Sequence, residues 1–136
     1  MIRYLVDTDI SSFFIKRKFP LLQLKMRTAM LAGEVAISAV TRAELRYGQC
    51  LMQPGDKRSR LIDAFLEEIP ILDWTSEAAD HYARLAAQQK RTGQPIGTLD
   101  TQIATHALAE GLILVTNNER HHRQIPGLIV VNWAAG

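Results

Sequence analysis

Five short apolar segments of β character, residues 2–6, 35–38, 70–74, 112–116 and 128–131, alternate along the chain with stretches whose apolar residues recur at helical spacing. That alternation leaves one broad architecture, an α/β domain with a mainly parallel central sheet flanked by helices. Parallel neighbours need a long crossover, and the crossover is usually a helix. Right-handed crossovers then open the loops after every strand on one edge of the sheet. The helices are read at residues 10–15, 20–31, 41–52, 58–69, 76–92 and 98–109, with Asp9 capping the first and Gly93 and Gly111 stopping the last two. Leu21, Leu24, Thr28 and Leu31 share a face of the second helix. Glu44, Tyr47, Gly48 and Leu51 share a face of the third, which is expected to look inward. No repeat, linker or low-complexity segment divides the chain, so residues 1–136 are read as a single domain, long enough to bury a core without disulfides.

The single cysteine, Cys50, excludes an internal disulfide and is expected to act as a small core hydrophobe. No apolar run approaches the roughly 20 residues needed to span a bilayer, and no apolar leader precedes the first acids; a cytoplasmic protein that does not enter membranes is expected. Sixteen Lys and Arg stand against 14 Asp and Glu, a net charge of +2. Gathering three of those acids into one pocket leaves 16 positive against 11 negative groups elsewhere, a balance of +5 that suits a phosphate backbone.

The three acids are Asp7, Glu44 and Asp100. Asp7 follows the first apolar segment in Tyr4-Leu5-Val6-Asp7-Thr8-Asp9, Glu44 follows the second, and Asp100 opens the helix before the fourth. In an open parallel sheet the ligand crevice lies outside the carboxyl ends of the strands, where all three side chains can converge. Each also has a purely local reading. Asp7 ends a strand, Thr41 and Glu44 have capping-box spacing, and Asp100 sits where a first helical turn favours a carboxylate. Converged carboxylates repel and demand a cation. An all-oxygen cup without Cys or His suits Mg²⁺ or Mn²⁺, whose usual work in such a cup is phosphoester hydrolysis.

These motifs resemble those of the PIN-domain ribonucleases, and among them the VapC toxins of bacterial toxin–antitoxin pairs. Leu5-Val6-Asp7-Thr8-Asp9-Ile10 is similar to the family's opening strand and first acid, with Asp9 where Asn is commoner. The stretch from Ile37 to Leu45, with Tyr47-Gly48, resembles the second-acid motif, and Ile96-Gly97-Thr98-Leu99-Asp100 with Ile103-Ala104 the third. Leu114-Val115-Thr116-Asn117-Asn118 and Ile125-Pro126-Gly127-Leu128 resemble the closing motif, where Asn118 replaces an acid many members carry and Glu119 follows. The resemblance implies a single PIN-like domain and an Mg²⁺-dependent endoribonuclease, with tRNA as a substrate class. It also implies a homodimer and a cognate VapB-type antitoxin whose tail enters the active-site groove. On this reading Asp7, Glu44, Asp100 and Asn118 are catalytic, the three acids hold the metal, and Thr116, Glu119 and Asp9 are further candidates. Asn118 is favoured over Glu119 because it is taken to leave its strand as Asp7 does.

Two other functions share the opening motif. A haloacid-dehalogenase-like phosphatase would also use Asp7 and Asp9 but needs a well-placed lysine and a later acidic pair, and Lys90 falls at a helix end. A receiver-like phospho-acceptor module would use Asp73 but needs a lysine after the last strand, where Val130-Val131-Asn132-Trp133 offers none. Arg120, His121, His122 and Arg123 are read either as a polar surface turn or as a basic segment meeting RNA phosphates. His81 is read as a surface residue, and His106 as pointing away from the acids.

Overall fold

The computed structural model describes residues 1–135 and has the α/β architecture expected. Its strands are β1 (Tyr4–Val6), β2 (Val35–Ser38), β3 (Ile71–Leu72), β4 (Ile113–Val115) and β5 (Val130–Val131). Its helices are α1 (Thr8–Ile15), α2 (Pro20–Leu31), α3 (Ala39–Cys50), α4 (Lys57–Glu68), α5 (Ser76–Thr92), α6 (Thr98–Glu110) and the single turn α7 (Glu119–His122). The strands form one sheet in the order β3-β2-β1-β4-β5, and every pairing is parallel. Strand order reverses at β1, so the crevice between the carboxyl ends of β1 and β4 is the switch point at which such sheets bind ligands.

Alternation along the strands divides the core into two layers. Val6, Val35, Ile37 and Val115 pack on one face with Ile10, Phe14, Leu22, Met26 and Phe65 from α1, α2 and α4. Leu5 and Leu114 face the other way, against Leu85 of α5 and Ile103, Ala104 and Ala107 of α6. The expected face of Asp100, Ile103, Ala104 and Ala107 is therefore an inward one. Gly93 and Gly111 close α5 and α6 in the left-handed region, as their positions in sequence suggest.

Several local expectations are corrected. Helix α1 begins at Thr8, not Ile10, because Asp7 rather than Asp9 caps it. Helix α3 begins at Ala39 with Ser38 as its cap, so Thr41 and Glu44 do not form a capping box. The face chosen on α2 points outward, and of the face chosen on α3 Glu44 turns toward the fold while its apolar members do not. Leu22, Met26 and Ala29 are the buried side of α2, whereas Leu24 and Leu31 are exposed. Tyr47 and Leu51 are likewise exposed, and Cys50 lies at the surface, not in the core. Equal apolar content on both sides of α2 hid its orientation, since periodicity places residues on a common face without saying which face meets the sheet. No helix is long and apolar enough to cross a membrane among the described residues.

Candidate active site

Asp7 is the first residue after β1, and the backbone around it is tied on both sides. Its amide donates to the Val115 carbonyl at 3.0 Å, and its carbonyl accepts from the Ser11 amide at 3.0 Å and hydroxyl at 2.8 Å. The carboxylate caps α1, with Oδ1 accepting from the Ile10 amide at 2.9 Å. Only 5% of the residue is exposed. Burial pushes its carboxyl up to about 7 from an ordinary value near 3.8, against the lowering effects of the Thr116 hydroxyl and the Ile10 amide; the Asp9 and Asp100 charges push it further up.

Capping is thus part of what Asp7 does, and it does not exhaust it. An exposed aspartate satisfies a helix start equally well. Burial next to other acids is a cost that capping alone does not require.

Glu44 reaches the same opening from the second turn of α3. Its Oε1 accepts from the Thr8 hydroxyl at 2.6 Å, and that hydroxyl stands 3.1 Å from the Thr41 hydroxyl, so the residue directly after Asp7 holds Glu44 in place. Burial raises the Glu44 carboxyl, the Thr8 hydrogen bond opposes this, and the Asp100 and Asp9 charges add to the rise. Asp100 lies in the first turn of α6, where Gly97, at φ 101°, takes a backbone conformation that a side chain would strain. Its carboxyl is also raised by burial, while His122 and His121 favour the ionised form and Asp9 opposes it. Asp9 itself is exposed in the first turn of α1, and its charge reaches all three other acids.

The closing motif differs from expectation. Val6 pairs with Val115, so the residue standing beside Asp7 at the end of the neighbouring strand is Thr116. Asn118 lies two residues further on, at the start of α7, where its amide donates to Thr116 Oγ1 at 3.0 Å. The argument from strand exit therefore selects Thr116, not Asn118. Glu119 is turned to its own helix, pairing with Arg123 at 2.9 Å. His122, expected to be a surface or phosphate-facing residue, is buried and donates from Nδ1 to the Asn118 carbonyl at 2.9 Å, while His121 stays exposed.

Neither Thr8 nor His106 was singled out by sequence. Thr8 had a signal in hindsight, lying between two acids at a strand end. His106 had none. It is fully buried, with Nδ1 2.8 Å from Ser38 Oγ and its ring edge-on to Trp74 at 5.5 Å. Ser38 Oγ, which also accepts from the Val40 amide at 3.0 Å, is the hydrogen-bond partner of His106 Nδ1. The Asp73 backbone lies near the other nitrogen without completing a hydrogen bond. Burial lowers the imidazole pKa and keeps the ring neutral, so it joins the ends of β2 and β3 to α6 without adding charge.

The arrangement fits a small hard cation. Asp9 and Asp100 act by charge on both Asp7 and Glu44, and none of the four side-chain ion pairs among the described residues involves these acids. No three acidic, histidine or cysteine side chains converge into a finished coordination shell among those residues. The acids instead act on one another through charge at the carboxyl edge of the sheet, a looser placement that suits a cation keeping several of its waters and taking only one or two carboxylates directly. On the other side the Thr116 hydroxyl stands against Asp7, with the Asn118 amide donating to that hydroxyl.

Known proteins share this framework. The family model described as PIN domain matches residues 4–127. A tRNA(fMet)-specific endonuclease VapC from Shigella flexneri is 36% identical over 134 residues, 98% of this chain and 100% of that protein. Ribonuclease VapC2 from Haemophilus influenzae is 37% identical over 98% of this chain and 99% of its own length. The crystal structure of DNA-bound VapBC from Salmonella typhimurium superposes with a TM-score of 0.89 at 31% identity, covering 98% of this chain and 99% of the other.

Proposed function

The chain belongs to the PIN-domain family, among its VapC ribonucleases, and from that premise we propose that its acidic cup is the active site of a Mg²⁺- or Mn²⁺-dependent endoribonuclease, the toxin of a toxin–antitoxin pair. What supports the metal is the placement of Asp7, Glu44 and Asp100 at the carboxyl edge of the sheet, where the Asp100 charge raises both other carboxyls and no ion pair among the described residues neutralises them. By likeness to relatives named for tRNA(fMet), tRNA is the substrate class, and by likeness to VapBC structures the chain has a VapB-type antitoxin. We propose also that it acts as a homodimer in the cytoplasm.

When bound, the cation lowers the pKa of water and offsets charge on the phosphate. The chain's own residues prepare that chemistry. Asp7 is fixed by the Ile10 amide and by backbone on both sides, so its carboxylate needs no reordering when a ligand arrives. Thr8 holds one oxygen of Glu44 and leaves the other for the opening. His121 and His122 favour the ionised form of Asp100, the form able to ligate a cation or take up a proton. Thr116 and Asn118 contribute neutral oxygens that can hold water.

The reading is tested by incubating the purified chain with total tRNA and Mg²⁺ and sequencing the fragments. Discrete internal cleavage by the wild type, absent from Asp7→Asn, Glu44→Gln and Asp100→Asn, is the expected result. Normal cleavage by all three variants contradicts a shared site. Free phosphate from small esters with intact RNA supports the phosphatase alternative, and an acid-labile phosphoprotein the receiver one.

A further inference from the structure

Beside the acidic cup, α5, the loop leading to α6 and the segment after α7 flank a small open hollow of about 60 Å³. Its floor is aliphatic, made by Leu85, Ile96 and Ile125. Its walls carry the amides of Gln88, Gln89, Gln94 and Gln124, and His121 stands at the side toward the cup, near enough to Asp100 for its charge to favour that carboxylate. One residue of its wall, Gln89, also touches the acid's own helix. The hydroxyl of Thr101, the residue after Asp100, donates to the Gly97 carbonyl at 2.7 Å and stands 3.1 Å from Gln89 Oε1.

What lines this hollow decides what it can take. It has no carboxylate to hold a cation and no lysine or arginine to hold a phosphate. Four primary amides offer paired donors and acceptors around an apolar floor, which is the complement of a flat heterocycle with a polar edge. The side chains of Gln88, Gln94 and Gln124 make no hydrogen bond among the described residues, which leaves their donors and acceptors free. Single-stranded RNA is read in this way, by bases splayed out of the stack onto apolar or ring surfaces and hydrogen-bonded along their edges.

We propose that this glutamine-lined hollow binds one unstacked nucleobase of the RNA next to the scissile phosphate and thereby selects which bond is cut. The inference rests on the ribonuclease reading of the acidic cup. Its residues set specificity and take no part in the chemistry.

The test uses the full-length chain, wild type and the double variants Gln88→Leu/Gln124→Leu and Gln94→Ala/Gln124→Ala, on short single-stranded RNAs randomised around a fixed cleavage point. Sequencing of the products reads nucleotide preference, and size-exclusion chromatography with light scattering reads oligomeric state. The expected result is a wild-type preference at one position flanking the cut that falls about tenfold or more in both variants, while cleavage of the disfavoured sequences is unchanged. Equal preference in wild type and variants overturns the pocket while leaving the nuclease intact, as does a wild type with no preference. A changed oligomeric state with preference retained also overturns it and makes the hollow an interface between copies of this chain. Failure of the wild type to cut any RNA removes the ribonuclease reading and this inference with it.

Discussion

Asp7 and Thr116 are neighbours in register at the carboxyl ends of β1 and β4, and the two sides of the switch point they define are chemically opposite. The β1 side brings acids: Asp7, then Asp9 and, through Thr8, Glu44. The β4 side brings a neutral hydroxyl, a neutral amide at Asn118, and His121 and His122, both of which favour the ionised form of Asp100. A site built from acids on both sides would hold two cations symmetrically. If a cation binds, the acid-rich β1 flank would hold it and leave the β4 flank to position water or RNA.

The strongest challenge to that asymmetry is to neutralise the charged member of the pair. Asp7→Asn is expected to lower RNA cleavage by about a thousandfold or more, roughly 4 kcal/mol of barrier. Asn still caps α1, so the fold should survive. Thr116→Val, its mate across the sheet, is expected to cost only about tenfold to a hundredfold, as a supporting residue would. Steady-state cleavage rates for the two variants check the contrast, and equal losses would make the two flanks equivalent.

Stability should move in the opposite direction from activity. The Asp7 carboxyl is raised from near 3.8 to about 7, so between these values the folded chain binds a proton that the unfolded chain has released. The stability it lends is complete below about pH 4 and is lost as pH rises through about 7. Without divalent cation, the wild type should therefore lose on the order of 3 kcal/mol relative to Asp7→Asn between pH 4 and pH 8. Urea unfolding of both proteins at the two pH values reads this difference. A constant gap would mean that Asp7 is not held in a costly ionised state.

A smaller effect is expected from the residue that steers Glu44. Thr8→Val removes the 2.6 Å hydrogen bond to Glu44 Oε1 and leaves the acid in place but free to rotate. Cleavage at saturating Mg²⁺ should fall about tenfold, with a higher Mg²⁺ requirement. An unchanged requirement, read by titrating cleavage with Mg²⁺, would place Glu44 outside the cation's reach.

The difference between these flanks was only half legible in the sequence. The acids stood out because each follows a strand or opens a helix, and parallel topology forces those positions to one edge, as β1, β2 and α6 show. Thr116 and Asn118 were harder. Ladder register, which no local pattern reveals, decides which residue of Leu114-Val115-Thr116-Asn117-Asn118 stands beside Asp7. The same limit explains Leu24 and Tyr47, whose helical faces were recognised but whose orientation toward solvent depends on packing that only the folded chain supplies. His106 was illegible for a third reason. A single histidine in an apolar helix gives no hint that it will meet a serine 68 residues away in sequence.

The smallest effects belong to the end of the neutral flank. Glu119 is committed to Arg123, an exposed i,i+4 pair, so Glu119→Gln should change the Mg²⁺ requirement by less than about twofold. Asn118→Asp places a new charge at the rim and should lower the requirement on the order of threefold. A large rise for Glu119→Gln, partly rescued by Asn118→Asp, would mean that Glu119 swings inward to complete the site.

The central claim is that the β1 flank works by holding a divalent cation, and the most direct measurement is RNA cleavage by the purified chain after exhaustive removal of metal. Product should be undetectable in excess chelator and return in proportion to added Mg²⁺ or Mn²⁺. Full cleavage in excess chelator would contradict it.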